Sequence, residues 1–274
     1  MNLEVASHKR EGCMQAQGET PTTHDPSRAD ISRGFFSPYR RVAQSLTGRL
    51  LSDEYLDQST CAGVELTREL DYLRVINRAL RGSRLSQSAL DFVKSHTRVD
   101  SLSLLDVGTG SGDIARALAL SHPEHIRVVA VDRRAEMIEA ARANAPAIPN
   151  LHFETGDIFA LEQQFAAHSF DVVHASLTLH HFPDEAVIAA LRAMAGVARH
   201  AVIWNDLKRG AIPTAAVRVA TMFAMRSTKH DARVSVEAGF TPADIELLAQ
   251  RAGLRVLWMR GALFYRFVAV LVRR

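Results

Sequence analysis

The chain has 274 residues, 47% of them apolar and 23% charged, the balance of a globular protein with room for one large domain and an appendage. Its 33 lysines and arginines against 30 aspartates and glutamates leave a formal charge of only +3, too small an excess to argue for nucleic-acid binding. Two cysteines, Cys13 and Cys61, argue against a disulfide framework, no C-x-x-C or H-E-x-x-H spacing offers a metal centre, and no apolar run reaches membrane-spanning length. A reducing, cytoplasmic setting is expected.

Residues 1–30 are polar and lack the apolar core of a signal peptide, so a disordered tail is expected there. Residues 31–100 read as an N-terminal helical cap. In it Leu66, Leu70, Leu73, Ile76 and Leu80 recur at three- and four-residue steps on one stripe, Arg68, Arg74, Arg78 and Arg81 occupy the opposite face, and Gly82 is expected to end the helix. An aromatic and basic cluster, Phe35-Phe36-Ser37-Pro38-Tyr39-Arg40-Arg41, precedes it. The arginine face leaves open a weak peripheral contact with anionic lipid. Residues 101–274 alternate strand and helix patterns, which predicts an α/β fold with a doubly wound seven-stranded sheet.

The first strand of that domain runs into a glycine loop and a helix: Leu104-Leu105-Asp106-Val107-Gly108-Thr109-Gly110-Ser111-Gly112-Asp113-Ile114-Ala115. Glycines at 108, 110 and 112 let the backbone bend tightly and approach a ligand where a Cβ would collide. The spacing is G-x-G-x-G, and Asp113 stands where a dinucleotide fingerprint has its third small residue. A carboxylate on the first helical turn repels a pyrophosphate and suits a zwitterionic or cationic ligand. Next, Ile126 to Asp132 is a β-branched run ending in an acid that can accept from both hydroxyls of a ribose or cap the following helix.

Further along, Leu151 to Ile158 forms a third strand with Asp157 at its exit, and Phe170 to Phe182 a fourth strand with its loop. An alanine-rich helix from Asp184 to Val197 and a fifth strand from Ala201 to Asp206 follow, then a helical insert from about 213 to 229. Thr241 is expected to cap a helix beginning at Pro242 and closed by Gly253. The segments Leu254–Met259 and Leu263–Val272 are expected to form a terminal antiparallel hairpin.

Four of these segments, in this order and about one βα unit apart, resemble the class I S-adenosylmethionine-dependent methyltransferases, in particular the quinone-biosynthesis and bacterial natural-product enzymes. The resemblance implies S-adenosylmethionine as cofactor, held at Asp106, Gly108, Thr109, Gly110, Gly112, Asp132, Arg133, Met137, Asp157, Ile158 and Ser176. It also implies a small-molecule acceptor, shaped in part by the N-terminal helices. The Asn/Asp-Pro-Pro-Tyr/Phe motif of the family's amide and base N-methylating members is replaced by His174-Ala175-Ser176-Leu177, which disfavours adenine, cytosine or glutamine as acceptor. The expected activity is methyl transfer to oxygen or carbon of a phenolic or polyketide-like molecule. A nicotinamide-dependent oxidoreductase and a non-catalytic scaffold stay open beside it.

Methyl transfer from a sulfonium needs alignment more than acid catalysis, and a base is required only if the acceptor keeps its proton at neutral pH. His180 and His181 in the loop after the fourth strand are candidates, as is His230, whose neighbour Asp231 points away if that segment is extended. Asn205 and Asp206, at the exit of the fifth strand, either contact the acceptor or orient the loop.

Overall fold

The computed structural model describes residues 45–49, 51, 82–143, 147–211, 213–215, 226–262 and 266–274. Their elements are α1 (Gly82–Thr97), β1 (Leu102–Val107), α2 (Asp113–Ser121), β2 (Ile126–Asp132), α3 (Ala135–Ala143), β3 (Leu151–Thr155), α4 (Leu161–Gln164) and β4 (Phe170–Ser176). After β4 come a short 3-10 turn (Leu179–His181), α5 (Asp184–Val197), β5 (Ala198–Leu207), α6 (Arg226–Glu237), α7 (Pro242–Arg251), β6 (Leu254–Ala262) and β7 (Arg266–Arg273).

The strands form one seven-stranded sheet in the order β3-β2-β1-β4-β5-β7-β6. Strands β1 to β5 pair in parallel, whereas β7 is antiparallel to both β5 and β6. Parallel strands are covered on both faces, which is why β1 and β4 are buried almost throughout instead of alternating. Side-chain alternation sends Leu105, Val107, Val173 and Trp204 into a core under α5 and α7. It sends Leu104, Val128, Val172 and Ile203 into a second core under α1 and α2. The strand order reverses between β1 and β4, so the loops leaving these two strands diverge and open a crevice at their carboxyl ends.

Two expectations change. Gly82 is itself helical, the first described residue of α1, and a Cβ there would stand 2.6 Å from the Arg266 guanidinium, so the glycine serves a close approach. The segment around His230 is helical, part of α6, so His230 and Asp231 do not alternate as on a strand. Helix α1 falls inside the expected cap, yet Leu85, Ala89, Leu90 and Val93 bury themselves in the sheet's core. The stripe from Leu66 to Leu80, the tail and the aromatic-basic cluster lie outside the described residues, as does the middle of the 213–229 insert. Thr241 caps α7 through a reciprocal bond with Asp244, with Pro242 at the first helical position, as its sequence predicts. Among the described residues no helix is long and apolar enough to cross a membrane.

Candidate cofactor site

The carboxyl ends of β3, β2, β1 and β4 stand side by side, and the predicted binding residues fall on that one edge except Met137, which lies in α3, and Asp106, which lies within β1. Gly108, Gly110 and Gly112 all have positive φ, at 67°, 54° and 76°, a region that side chains strain to enter. Their surroundings give them different tasks. A Cβ on Gly108 would meet the Thr178 side chain at 2.5 Å, and one on Gly112 the Phe153 ring at 2.6 Å. These two glycines let the β4 loop and β3 close on the bend. Gly112 thus provides the tight helix-to-strand packing for which a dinucleotide fingerprint uses its third small residue. A Cβ on Gly110 would meet nothing within 4 Å among the described residues, so that side of the loop is open to a ligand.

Asp132 binds the loop directly. Its Oδ2 accepts from the Gly110 amide at 2.9 Å and its Oδ1 from the Arg134 amide at 3.0 Å. A carboxylate has about four lone-pair sites, so both oxygens keep capacity for the two hydroxyls of a ribose. Burial raises the Asp132 carboxyl above its ordinary value, the two amide bonds pull it down, and the nearby Asp106 adds to the rise. Asp157 turns one oxygen to the Phe159 amide at 2.9 Å, while Ile158 and Met137 are buried and Arg133 is exposed. The Gly156 amide donates to the Asp132 carbonyl, tying the β3 exit to that of β2.

Asp106 lies below this edge and supports it. Only 2% exposed, it accepts from Thr109 Oγ1 at 2.6 Å and stands 2.6 Å from His174 Nδ1. Asp113 does not present the bare charge expected of it. Arg116 Nη2 lies 2.8 Å from its Oδ1 and Ser111 Oγ donates to its Oδ2, so its repulsion of a pyrophosphate is weakened. The reversed β7 is the stronger argument against a plain dinucleotide fold.

On the other side of the crevice, Leu177 takes φ of 53°, an uncommon state for a bulky residue. Asp206 holds the turn that follows. It accepts from the Leu179 and His180 amides, from Trp204 Nε1 and from the Leu207 amide, and its Oδ1 lies 2.6 Å from His180 Nδ1. Burial pushes its carboxyl upward, but His180 and these donors outweigh that and hold it below the ordinary range. Of the two roles open to Asp206, the structure shows the orienting one. His180, 3% exposed, is correspondingly an anchor of the loop and not an accessible base. His181 is half-buried and stacks on it, ring centroids 4.1 Å apart.

Sequence reasoning missed Ser86, His174 and Arg266, which support the site from beneath. His174 carried a readable signal. A histidine amid Val172, Val173 and Ala175 on a strand covered on both faces must have buried polar partners.

Residues 104–201 match the model of the methyltransferase domain family. The chain is 30% identical over 109 residues to trans-aconitate 2-methyltransferase of Deinococcus radiodurans, covering 40% of this chain and 35% of that protein. It is 25% identical over 183 residues to a ubiquinone biosynthesis O-methyltransferase of Neisseria meningitidis serogroup C, covering 64% of this chain and 73% of that one. A 67-residue stretch is 43% identical to the release factor glutamine methyltransferase of Escherichia coli but covers only 24% of it. The chain thus spans about a third, three-quarters and a quarter of these three relatives. Among solved structures it resembles the mitomycin 7-O-methyltransferase MmcR, with a TM-score of 0.55 and 20% identity over 76% of this chain and 57% of that one. It also resembles magnesium protoporphyrin IX methyltransferase from Synechocystis PCC 6803, with a TM-score of 0.51 and 20% identity over 73% and 87% of the two chains.

Proposed function

We propose that this chain, whose residues 104–201 match the methyltransferase domain family and whose seven-stranded sheet ends in a reversed strand, is an S-adenosylmethionine-dependent enzyme that methylates an oxygen or carbon of a small phenolic or polyketide-like molecule. The observation that carries the reading is the open side of Gly110 beside the half-buried, two-fold hydrogen-bonded Asp132. That pocket edge fits an adenosine-bearing cation: a backbone without side chains for close approach, an acid for the ribose, and acidic surroundings for the sulfonium. Bound S-adenosylmethionine would supply an already activated methyl group.

The chain's own work is then placement and exclusion of water. Gly108, Thr109 and Gly110 bend around the donor, Asp132 fixes its ribose, and Asp157 with Ile158 borders its base. Ser176 to His181 line the acceptor side, with Asp206 keeping the turn rigid. His181 is the accessible histidine of that turn and accepts the proton of an acceptor hydroxyl. The short match to a glutamine N-methylating enzyme does not redirect the reading, since residues 174–177 lack that group's amide-holding motif.

Calorimetric titration with S-adenosylhomocysteine tests the proposal, with NADH as the contrasting ligand. Saturable binding of the first and none of the second is expected, and the opposite pattern removes the basis of the assignment. With a phenolic acceptor and labelled donor, His181→Gln should lower kcat by about 10²- to 10⁴-fold while leaving S-adenosylhomocysteine affinity unchanged. Full turnover in that variant would exclude His181 as the base.

A further inference from the structure

Beneath the glycine loop runs a line of buried polar groups that cofactor binding itself does not require. His174, on β4 and fully buried, has Nδ1 2.6 Å from Asp106 Oδ1 and Nε2 2.8 Å from Ser86 Oγ. The carboxylate can only accept, so in the neutral ring the proton sits on Nδ1 and Nε2 accepts a hydrogen bond from the Ser86 hydroxyl. Ser86 Oγ accepts in turn from Asn205 Nδ2 at 2.7 Å, and Asn205 Oδ1 accepts from Arg266 Nε and Nη2 at 3.3 and 3.0 Å. At the far end the other Asp106 oxygen accepts from Thr109 Oγ1. Every donor along the line therefore points toward Asp106. Arg266 Nη2 also donates to Ser176 Oγ at 3.0 Å, so the line touches the loops on both sides of the crevice.

Two of its members, Ser86 on α1 and Arg266 on β7, lie outside the matched residues 104–201. In the sheet Asp106 sits beside His174, and His174 beside Ile203, so the ring is a fully buried polar bridge between the glycine strand and the elements beyond, separate from the contacts among Ser103, Asp171 and Arg199 lower on the same strands. We propose that His174 is a positioning residue: through Asp106 it holds Thr109 and the glycine bend in their ligand-binding shape, and α1 and β7 set its orientation through Ser86, Asn205 and Arg266. The proposal rests on the cofactor reading for its effect on affinity, but its effect on the loop stands apart from it.

Two variants separate positioning from general support. His174→Phe removes both ring contacts, whereas His174→Asn keeps an N–H that can take the place of Nδ1 and donate to Asp106. Both leave the Ser86 hydroxyl without the His174 acceptor, so both should lower the melting temperature. Only His174→Phe should weaken S-adenosylhomocysteine binding, by about tenfold, and speed hydrogen exchange at the Thr109 and Gly110 amides, which are bonded to the Val131 carbonyl and to Asp132. Equal losses in the two variants, or unchanged loop exchange in His174→Phe, would overturn the proposal. If the wild type binds no S-adenosylhomocysteine, the functional reading fails, and cofactor-free exchange still decides this one. Should His174→Phe not fold, Ser86→Ala replaces it: faster exchange in the loop supports the line, and exchange confined to α1 overturns it.

Discussion

Replacing Asp184 with alanine should cost about 3 to 5 kcal/mol of stability, because it strands a charge where water cannot reach it. Asp184 opens helix α5, and its carboxylate lies 2.8 Å from Arg49 Nη2, with both side chains only 1% exposed. Arg49 Nε also donates to Asp184, Nη1 to the Ala238 carbonyl and Nη2 to the Phe182 carbonyl, and the guanidinium lies 4.1 Å above the Phe240 ring. Ser45 and the Thr47 amide and hydroxyl donate to the same carboxylate. The short segment 45–49 is thereby pinned to α5 and to the chain entering α7. Burial alone would raise the Asp184 carboxyl, but the Arg49 charge and the Thr47 bonds outweigh it and hold the group below the ordinary range. A depressed carboxyl contributes stability above its unfolded value and loses that contribution as pH falls through its folded value. The gap between wild type and Asp184→Ala should accordingly be full at neutral pH and close only in acid. Thermal melts should show a drop of roughly 10 °C at neutral pH. A double Arg49→Met, Asp184→Leu variant should recover most of it, since the desolvation of both charges is removed together. A double variant no better than Asp184→Ala would show that the loss lies elsewhere.

Asp132→Ala should weaken S-adenosylhomocysteine by about 1 to 3 kcal/mol, or roughly 5- to 150-fold, by leaving two ribose hydroxyls unmatched and freeing the Gly110 amide. Calorimetry reads this directly, and unchanged affinity would remove Asp132 from the site. The pH dependence has a definite sign. Burial has raised this carboxyl, so the ionised, accepting form is lost as pH falls through a value higher than that of an ordinary aspartate. Wild-type affinity should therefore decline earlier in the descent toward acid than an exposed aspartate would give. Asp132→Asn should bind more weakly at neutral pH and show a flatter profile.

How much of this was legible in the chain itself differs by kind of interaction. The glycine bend, Asp132 and the row of strand exits depend on neighbours close in sequence, and their periodicity and turn chemistry carried through to the sheet. The terminal hairpin was equally plain, although nothing local says that β7 slides between β5 and β6. Gly82 misled because a glycine after an apolar stripe reads as a helix stop, and only the approach of Arg266, far along the chain, gives it another purpose. His180 and His181 are indistinguishable as letters. It is Asp206, on another strand, that turns one ring inward and leaves the other half-buried. Asp113 looked like a bare charge until Arg116, one helical turn on, was seen to cover it.

Leu177 carries a last implication. A leucine in the left-handed region costs about 1 to 2 kcal/mol relative to a relaxed backbone, and the contacts around Asp206 must offset that tension to keep the turn in place. A glycine there would ease the fold while giving the turn after β4 more freedom. Under the proposed methyl-transfer function, robustness and turnover compete at this position, and selection for heat resistance alone would work against the reaction there.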